Sequence, residues 1–385
     1  MQGRAQSPLH SLKNKLTPTV TQGSGGGVID ILLRLYYTVC EVIFLKKFMI
    51  FSLILALLSL CGCSKNTPQP ILHSEDIEVN IQKGINLSGL EGAFPSKSYI
   101  DSEKTFAQIA EKGFDHVRLP VDFRKYADEN GVIKNSFYKR LDKIINTANS
   151  YGLVVMLDFH GWYDISLLND GKLFFSIWEN VAEHYKDYSN MLMFELINEP
   201  HTTEGGDLDA SFLKSLQETA VKKIRAISPH RTIVLASADW NATWSLHTFN
   251  LTDVENTLVA VHIYDPLDFT HQGMEWAGKG DVSMPYNDEV DAALDKAFKD
   301  ILEFKQRTGM KIVINEFGVN TSGYVSDEDV CKYFNKITSF AKENDIAWTY
   351  WEYNFGFGLF KPNFFLSPSG KWRETIVDAL FKAYK

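Results

Sequence analysis

Cysteine is scarce in this sequence and is concentrated near its start. Three of the four cysteines, Cys40, Cys61 and Cys63, precede residue 64, and only Cys331 follows. A single cysteine cannot form an intramolecular disulfide, which excludes a disulfide framework for the main part of the chain. Cys331 lies in an amphipathic stretch typical of a helix, so we expect a buried, unreactive thiol there.

Positive charge is also deficient. The chain has 39 Lys and Arg against 48 Asp and Glu, a formal net charge of −9, and no stripe of basic residues follows the first 64 positions. Binding of a nucleic acid requires clustered cations that neutralise phosphates, so the composition argues against such a partner. With 45% hydrophobic and 23% charged residues, the 385-residue chain has the composition of a folded protein with an extensive core.

Sequence motifs of several other enzyme classes are missing. There is no GxSxG turn of a serine hydrolase, no HExxH zinc motif and no paired-cysteine metal site. A metal site is nevertheless the competing interpretation of four polar residues, namely Asp158, His160, His262 and Asp265. Because their spacing matches no metal motif, we expect neither a metal nor a cofactor.

An apolar segment near the N-terminus is typical of a secretory signal. Residues 48–60 (FMIFSLILALLSL) are uncharged, follow Lys46 and Lys47, and are too few for a comfortable membrane span. The segment runs into Leu-Cys-Gly-Cys, which resembles a bacterial lipoprotein processing box, and we expect lipidation of Cys63. An uncleaved anchor helix is the alternative.

These signals divide the chain into four parts. We interpret 1–47 as an extension outside the fold, 48–63 as the signal segment, 64–78 as a polar linker and 79–385 as one domain. The protein is then expected in a bacterial cell envelope, on the outer membrane or facing the periplasm, and attached to the membrane only through its lipid. We also expect a monomer.

From residue 81 onward, short apolar runs alternate with longer amphipathic stretches. The runs are nearly continuous in hydrophobic and β-branched residues, which is typical of parallel strands buried on both faces. Eight such units in succession predict a single closed (β/α)8 (TIM) barrel of the α/β class, with the active site at the carboxyl ends of the strands. An open doubly wound sheet is the alternative. The predicted strands are 81–86, 114–121, 153–159, 191–198, 231–237, 257–264, 311–317 and 346–353, and the predicted helices are 101–113, 137–151, 174–188, 210–227, 289–308 and 328–344.

Polar side chains follow the predicted strands where they end, and in a barrel these ends converge on one face. A single glutamate at a strand end is usually a cap or a surface residue, but here every strand end carries a residue of a functional type. Glu199 and Glu316 suit cleavage of a glycosidic bond, in which one carboxyl protonates the leaving oxygen and the other attacks the anomeric carbon or activates water. The remaining strand-end residues are Asn86, Glu91, Arg118, His160, Asn198, Asp239, Trp240, His262, Tyr264, Trp351 and Glu352.

Six segments of the sequence resemble glycoside hydrolase family 5, the cellulase and mannanase family of (β/α)8 barrels. Together they extend the resemblance over essentially all of the chain after residue 81. The segments are HVRLP (116–120), LDFHG (157–161), FELINEP (194–200), HIYDP (262–266), NEFG (315–318) and YWEY (350–353).

The resemblance implies a role for each matched residue. Glu199 matches the acid/base and Glu316 the nucleophile of a retaining mechanism. Arg118 near Glu316 is expected to lower the pKa of that carboxyl, and a drier pocket is expected to raise the pKa of Glu199. The supporting positions are Arg118 and Tyr264 as hydrogen-bond donors to the nucleophile, Asn198 at the substrate 2-hydroxyl, His160 and His262 beside the cleaved sugar, and Trp351 beneath it.

Two further segments, 84–94 and 262–276, resemble a branch of the family that acts on glucans and mannans. Gly161-Trp162 stands where that branch commonly has a second histidine, which weakens the mannan expectation more than the glucan one. The cleft or sugar-contacting positions implied by this branch are Asn86, Glu91, Trp240, His271 and Trp276.

We therefore expect a retaining endo-β-1,4-glucanase (cellulase) acting on plant polysaccharide, with β-glucan or β-mannan as substrate. β-Mannanase or xyloglucanase activity is the alternative within this class. A non-catalytic glycan-binding lipoprotein and an extracellular interaction protein are the alternatives outside it. The presence of both Glu199 and Glu316, together with Arg118, argues against these two, because binding alone requires no matched acid and nucleophile.

Overall fold

The structure is a computed structural model. It describes residues 80–92, 98–161, 170–202, 209–251 and 255–385. The extension, the signal segment with Cys63 and the linker lie outside the described residues, as does Trp162. Within the described ranges, no helix combines the length and the apolar character needed to span a membrane.

Eight parallel strands form a closed barrel in chain order, and the first strand pairs with the eighth to close it. The strands are β1 (Lys83–Asn86), β2 (His116–Val121), β3 (Val154–Phe159), β4 (Leu192–Glu195), β5 (Ile233–Ala236), β6 (Thr257–Ile263), β7 (Lys311–Phe317) and β8 (Ala347–Tyr350). Every residue of β2 and β3 is buried, because helices cover the outside of the barrel and side chains fill its interior. The predicted (β/α)8 barrel and its eight strands are confirmed, and the open sheet is excluded.

Amphipathic helices connect most of the strands. Side-chain caps fix several helix starts: Asn287 accepts hydrogen bonds from the N–H groups of Glu289 and Val290, and Ser326 accepts one from Asp329. Within the described residues the longer helices are α1 (Glu103–Lys112), α2 (Asn135–Ser150), α3 (Lys172–His184), α4 (Ala210–Ile227), α5 (Asp288–Thr308), α6 (Asp327–Glu343) and α7 (Glu374–Phe381). All six predicted helices are present, whereas α7 and a hairpin of β9 (Phe360–Pro362) and β10 (Gly370–Trp372) were not predicted.

The interior of the barrel changes from apolar to ionic along its axis. Side chains of a strand alternate between its two faces, so residues two apart point the same way. On β3, buried Asp158 lies two residues after Met156 and points the same way. On β4, buried Glu195 has the same relation to Met193. The apolar layer at the other end comprises Ile81, Val154, Met156, Met193, Val234, Leu258, Ala260, Val313 and Ala347. Strand alternation thus delivers charged groups to the carboxyl ends of the strands.

One irregularity in the strand pairing turns Glu316 into the barrel. Val261 of β6 pairs with Ile314 of β7, but the next residue, His262, pairs with Glu316, so Asn315 is an extra residue on β7. Ile314 packs in the core outside the barrel, and a regular strand would send Glu316 to the same side. This β-bulge instead brings both Asn315 and Glu316 to the inner face.

Candidate active site

A wholly buried arginine, Arg118 of β2, organises the charged layer beneath the site. Its Nε and Nη2 atoms donate to the two carboxylate oxygens of Glu195, both at 2.7 Å, and its Nη1 donates to Oε1 of Glu316 at 2.6 Å. A guanidinium bound to a carboxylate through two parallel hydrogen bonds has a fixed orientation. The pairing with Glu195 therefore sets the direction in which Arg118 reaches Glu316.

The remaining contacts of Arg118 are with two amides and one more carboxylate. Arg118 donates to Oδ1 of Asn86 at 3.0 Å and to Oδ1 of Asn198 at 2.8 Å, and it lies 2.9 Å from Oδ2 of Asp158. The side-chain nitrogen of Asn86 donates to two backbone carbonyls, and the residue is wholly buried. Asn86 therefore braces Arg118, and its expected role in the cleft stays a prediction.

The carboxylate of Glu316 has a donor on each oxygen. Arg118 binds Oε1, and the Tyr264 hydroxyl donates to Oε2 at 3.0 Å. Burial raises the pKa of Glu316, while His262 and Arg118 oppose that rise. Arg118 thus lowers the pKa of Glu316 as expected, but the loss of hydration outweighs the nearby cation and the net shift is upward. The two hydrogen bonds still favour the ionised form and orient it.

Glu199 follows β4 in a left-handed backbone conformation, with φ of 44°. Its Oε1 accepts a hydrogen bond from Nδ1 of His262 at 2.7 Å. Burial raises the pKa of Glu199. The pocket of Glu199 is not the drier of the two, however, since 23% of its side chain is exposed against 5% for Glu316. Glu199 is thus the carboxyl that is more accessible to a substrate.

The two carboxyls face each other across His262. One oxygen of Glu199, one oxygen of Glu316 and one ring nitrogen of His262 all lie within 4.8 Å of one another. In retaining glycosidases the two carboxyl groups are about 5–5.5 Å apart, whereas inverting enzymes need about 6.5–9.5 Å to admit a water molecule. The approach of Glu199 and Glu316 matches the retaining arrangement.

The same three residues are the one cluster in the described part of the chain with donors placed for a metal ion. Each of these metal-ligating atoms already has a hydrogen-bond partner. Nδ1 of His262 is bonded to Glu199, and the two oxygens of Glu316 are bonded to Arg118 and Tyr264. The Arg118 guanidinium, 2.6 Å from Glu316, would also repel a cation. The donor set therefore suits proton transfer and covalent chemistry better than metal binding.

His262 is the group that joins the two carboxyls. Burial lowers the pKa of His262 to about 4, so its ring is neutral at neutral pH. Its Nε2 lies 3.5 Å from the side-chain nitrogen of Asn241, a wholly buried residue after β5. A neutral imidazole has one donor and one acceptor, so a hydrogen bond from Asn241 to Nε2 leaves the proton on Nδ1. Nδ1 then donates to Glu199.

His160 and Trp351 form one wall of the site. The Trp351 ring stacks on the His160 ring with centroids 5.8 Å apart and an interplanar angle of 11°. Nδ1 of His160 lies 2.8 Å from Oδ2 of Asp158, and burial raises the pKa of Asp158 to about 7. The side-chain nitrogen of Asn198 lies 3.5 Å from Nε2 of His160, while its oxygen is bound by Arg118. The hydrogen bond from Arg118 fixes the orientation of the Asn198 amide, whose N–H groups then face away from the guanidinium.

The rim carries the other predicted sugar-contacting residues. Trp276 is 76% exposed and packs edge-on against His271, which packs in the same way against Tyr264. Trp240 is 51% exposed, and Oε2 of Glu91 accepts a hydrogen bond from the backbone of Gly89 at 2.6 Å. These four residues surround the strand ends, as predicted for a cleft, but their roles toward sugar stay a prediction.

Cys331 lies on α6, away from the strand ends, and is half-buried instead of fully buried. Its Sγ donates to the carbonyl of Thr375 at 3.6 Å. Burial raises the pKa of the Cys331 thiol, which keeps it protonated and unreactive. The expectation of an unreactive thiol agrees with this placement.

Several residues of the site were not predicted from the sequence. Glu195 and Asn315 are partners within the charged layer, since Asn315 donates to Oε1 of Glu195 at 2.9 Å. His201 donates through Nδ1 to the backbone carbonyl of Glu199 at 2.7 Å. Two of these residues stand inside the quoted segments FELINEP and NEFG, and His201 directly follows the first, so proximity to Glu199 and Glu316 was an available signal.

A closed (β/α)8 barrel with two facing carboxyls beyond its strands has the arrangement of a glycoside hydrolase. The model of a family described as cellulase (glycosyl hydrolase family 5) matches residues 78–356. The chain therefore belongs to glycosyl hydrolase family 5, the cellulase family.

Curated relatives and solved structures agree with this assignment. Cellodextrinase A of Ruminococcus flavefaciens is 28% identical over 293 residues, which cover 69% of this chain and 84% of that protein. Endoglucanase C of Acetivibrio thermocellus is 28% identical over 327 residues, covering 71% of this chain and 92% of that protein. The structure of Thermotoga maritima Cel5A in complex with mannotriose has 28% sequence identity and a TM-score of 0.69, and the match covers 78% of this chain and 97% of that one.

Proposed function

We propose that this protein is a retaining endo-β-1,4-glucanase in which Glu316 is the nucleophile and Glu199 the acid/base. The observation that carries the proposal is the approach of the two carboxyls to within 4.8 Å, with different partners on each. Glu316 is held by two donors, as an attacking carboxylate requires, whereas Glu199 accepts a hydrogen bond from His262 and is the more exposed carboxyl. These environments suit one group to attack and the other to carry a proton.

In the first step, an oxygen of Glu316 attacks the anomeric carbon as the bond to the leaving sugar breaks. Glu199 transfers its proton to the departing oxygen. In the second step, Glu199 takes a proton from water, and the resulting hydroxide attacks the anomeric carbon and releases the Glu316 carboxylate. Arg118 and Tyr264 stabilise that carboxylate each time it is released.

The substrate class follows from the relatives and the form of the rim. Cellodextrinase A and Endoglucanase C carry names of β-glucan hydrolases. Exposed Trp240 and Trp276 offer flat faces on which sugar rings stack. The β-mannanase alternative has one specific support, the mannotriose complex of the similar Cel5A. A reducing-sugar assay on carboxymethyl cellulose, mannan, xyloglucan and laminarin separates these activities. Release from carboxymethyl cellulose is expected, and no release from any of the four would refute the proposed hydrolase.

Stereochemistry tests the retaining mechanism independently of substrate preference. Proton NMR of the first product from a cello-oligosaccharide is expected to show the β-anomer, because two displacements at one carbon restore its configuration. The α-anomer as the first product would mean that Glu316 activates water, and the nucleophile assignment would fail.

We also propose that the mature protein is a lipoprotein of a bacterial cell envelope that begins at Cys63. The support is the signal-like segment 48–60 and the Leu-Cys-Gly-Cys sequence that it meets. Two or more acyl chains hold a protein stably at a membrane. Mass spectrometry of the membrane-extracted protein is expected to show an acylated Cys63, and Cys63→Ser is expected to release the protein from the membrane. An intact chain that still begins upstream of residue 48 would refute this processing.

A monomer is the proposed oligomeric state. All contacts of Glu199, Glu316 and Arg118 described above are made within a single chain. A pair of carboxyls arranged in this way needs no side chain from a second copy. Light scattering coupled to gel filtration of the soluble domain is expected to give the mass of one chain.

A further inference from the structure

The residues that follow β5 form a left-handed turn. Asp239, Trp240 and Asn241 have φ angles of 50°, 61° and 55°. Residues with side chains rarely enter this region, because Cβ then approaches the carbonyl oxygen, and here three do so in succession. We refer to residues 239–241 as the β5 turn. Strain of this kind persists where surrounding contacts require it, often at functional sites.

The first such contact connects Trp240 to the backbone of Glu199. The Trp240 ring stacks on the ring of buried His201, with centroids 4.4 Å apart and an interplanar angle of 16°. Nδ1 of the same histidine donates to the carbonyl oxygen of Glu199 at 2.7 Å. The His201 ring thus stacks with exposed Trp240 through its face and hydrogen-bonds the strained backbone of Glu199 through a nitrogen at its edge.

The second contact connects Asn241 to the carboxylate of Glu199. Asn241 reaches Nε2 of His262 at 3.5 Å, and Nδ1 of His262 donates to Oε1 of Glu199 at 2.7 Å. Neighbouring residues of one turn therefore act on Glu199 through two different histidines. One histidine binds its main chain and the other its side chain.

We propose that the β5 turn positions Glu199 and that Trp240 couples binding of the departing sugar to this positioning. The proposal rests on the acid/base role of Glu199. Trp351 packs on His160 beyond β8 and β3, whereas Trp240 packs on His201 beyond β4 and β5, next to the acid. The general acid protonates the oxygen of the departing sugar, so the aromatic face beside the acid is placed to bind that sugar.

Two substitutions of His201 separate its two contacts. His201→Phe keeps a ring beneath Trp240 but removes the donor to Glu199. His201→Asn keeps a side-chain donor close to the position of Nδ1 but removes the ring. With cellotetraose as substrate, His201→Phe is expected to lower kcat about 5- to 10-fold with little change in KM, the effect of one lost hydrogen bond. His201→Asn is expected to raise KM about 2- to 10-fold and to retain most of kcat.

Trp240→Ala and a matched control complete the test. Trp240→Ala is expected to raise KM for cellotetraose, and to have little effect with 2,4-dinitrophenyl β-cellobioside, which has no sugar on the leaving side. Trp244 is similarly exposed, at 46%, and lies in the next helical turn (Thr243–Thr248). Trp244→Ala is expected to leave both substrates unaffected. Equal effects of the two tryptophan substitutions would contradict the proposed binding of the departing sugar by Trp240.

A double-mutant cycle between His201→Phe and Trp240→Ala measures the coupling. If Trp240 acts through His201, the two changes are expected to be non-additive in kcat/KM for cellotetraose. Strict additivity would overturn the coupling. Circular dichroism and thermal unfolding of each variant verify that it is folded.

Asn241→Gly tests the second contact without disturbing the turn, because glycine adopts positive φ freely. The loss of Asn241 leaves the tautomer of His262 unfixed and weakens its donation to Glu199. A less stabilised carboxylate has a higher pKa, so the alkaline limb of kcat/KM is expected to move to higher pH. The other charged or titratable groups that face His262 are Glu316, Arg118, Glu195 and His160. They are unchanged between the parent enzyme and the Asn241→Gly variant. An unchanged pH profile and kcat would overturn this contact.

Glu199→Gln distinguishes a β5 turn without a positioning role from a wrong acid/base assignment of Glu199. If Glu199→Gln impairs acid catalysis but the His201 and Asn241 variants behave as the parent enzyme, the β5 turn has no positioning role. If Glu199→Gln retains full activity on cellotetraose, the acid/base assignment itself is wrong.

Discussion

Glu316→Ala is expected to abolish turnover of cello-oligosaccharides, with a loss on the order of 10⁶-fold, the size seen when the nucleophile of a covalent hydrolase is removed. Among the residues that the structure describes, the groups that hold Glu316 offer no substitute nucleophile. Both donors to Glu316, Arg118 and Tyr264, lack a basic atom able to attack carbon at neutral pH. Steady-state release of 2,4-dinitrophenol from its β-cellobioside measures the loss.

Azide is expected to restore part of the activity of Glu316→Ala. The truncated side chain opens a space on the face of the sugar opposite the leaving group, and a small anion is attracted there by Arg118, which keeps its positive charge. Attack from that side inverts the anomeric carbon, so the product is the α-glycosyl azide. Proton NMR of the product identifies the anomer.

Glu316→Gln is the matched control for this rescue. The amide lacks a nucleophilic carboxylate, so this variant is equally inactive, but it fills the space that alanine vacates. Azide is therefore expected to leave Glu316→Gln inactive. Rescue of both variants to the same extent would show that azide acts elsewhere, and a β-glycosyl azide from Glu316→Ala would contradict its role as nucleophile.

The strands were predictable from the sequence because each is a short, nearly continuous apolar run, and the pattern repeats eight times. Arg118 was also predictable as an inward-facing group, since strand alternation places it opposite Val117 and Leu119, which pack in the outer core. The short elements after β8 were not predictable. Strands of three residues, such as Phe360–Pro362, are below the length at which a pattern of hydrophobicity is recognisable.

The inward direction of Glu316 did not follow from the pattern of its strand. Ile312 and Ile314 pack outside the barrel, and simple alternation assigns Glu316 to their side. The extra residue Asn315 reverses this, and a bulge depends on the pairing with β6, which a single strand does not reveal. Its assignment to the site came instead from its place at the end of a predicted strand, and the resemblance of the NEFG segment to a known family added its role as nucleophile.

The net pKa shift of Glu316 could not be predicted either, because it depends on how deeply the carboxyl is buried, which the sequence does not show. Arg118 lowers the pKa of the Glu316 carboxyl, as the sequence suggested, but desolvation of this buried group raises the pKa by more. In the same way, the β5 turn could not be predicted, because its left-handed backbone is held by His201 and His262 from distant positions in the chain.

Glu199→Gln is expected to lower kcat/KM for cellotetraose by about 10²–10⁴-fold, the usual contribution of general acid–base assistance. Glutamine has nearly the shape of glutamate, and its oxygen still accepts the hydrogen bond from Nδ1 of His262, so the site retains its geometry. Only the transferable proton is lost. The loss of activity in Glu199→Gln is therefore expected to be larger for a leaving group that departs only when it is protonated.

The 2,4-dinitrophenyl β-cellobioside separates the two steps of Glu199→Gln. Its leaving group departs without a proton, so formation of the glycosyl-enzyme is expected to be spared. Hydrolysis of that intermediate still needs a base to activate water and is expected to be slow. A stopped-flow burst of dinitrophenol followed by slow turnover is the expected signature. Azide needs no base and should accelerate the slow step, with the β-glycosyl azide as product. Equal loss on both substrates, without a burst, would contradict the assignment of Glu199 as the acid/base.

The pH profile gives a second measure of the proton on Glu199. In the parent enzyme the acid must be protonated, so activity on cellotetraose is lost as pH rises through the pKa of Glu199. Burial raises that pKa, which moves the alkaline limb to higher pH than an ordinary glutamate would give. Glutamine has no proton to lose, so the residual activity of Glu199→Gln is expected to lack this limb. The acidic limb, where Glu316 becomes protonated and can no longer attack, should remain. An alkaline limb unchanged in Glu199→Gln would mean that another group carries the proton.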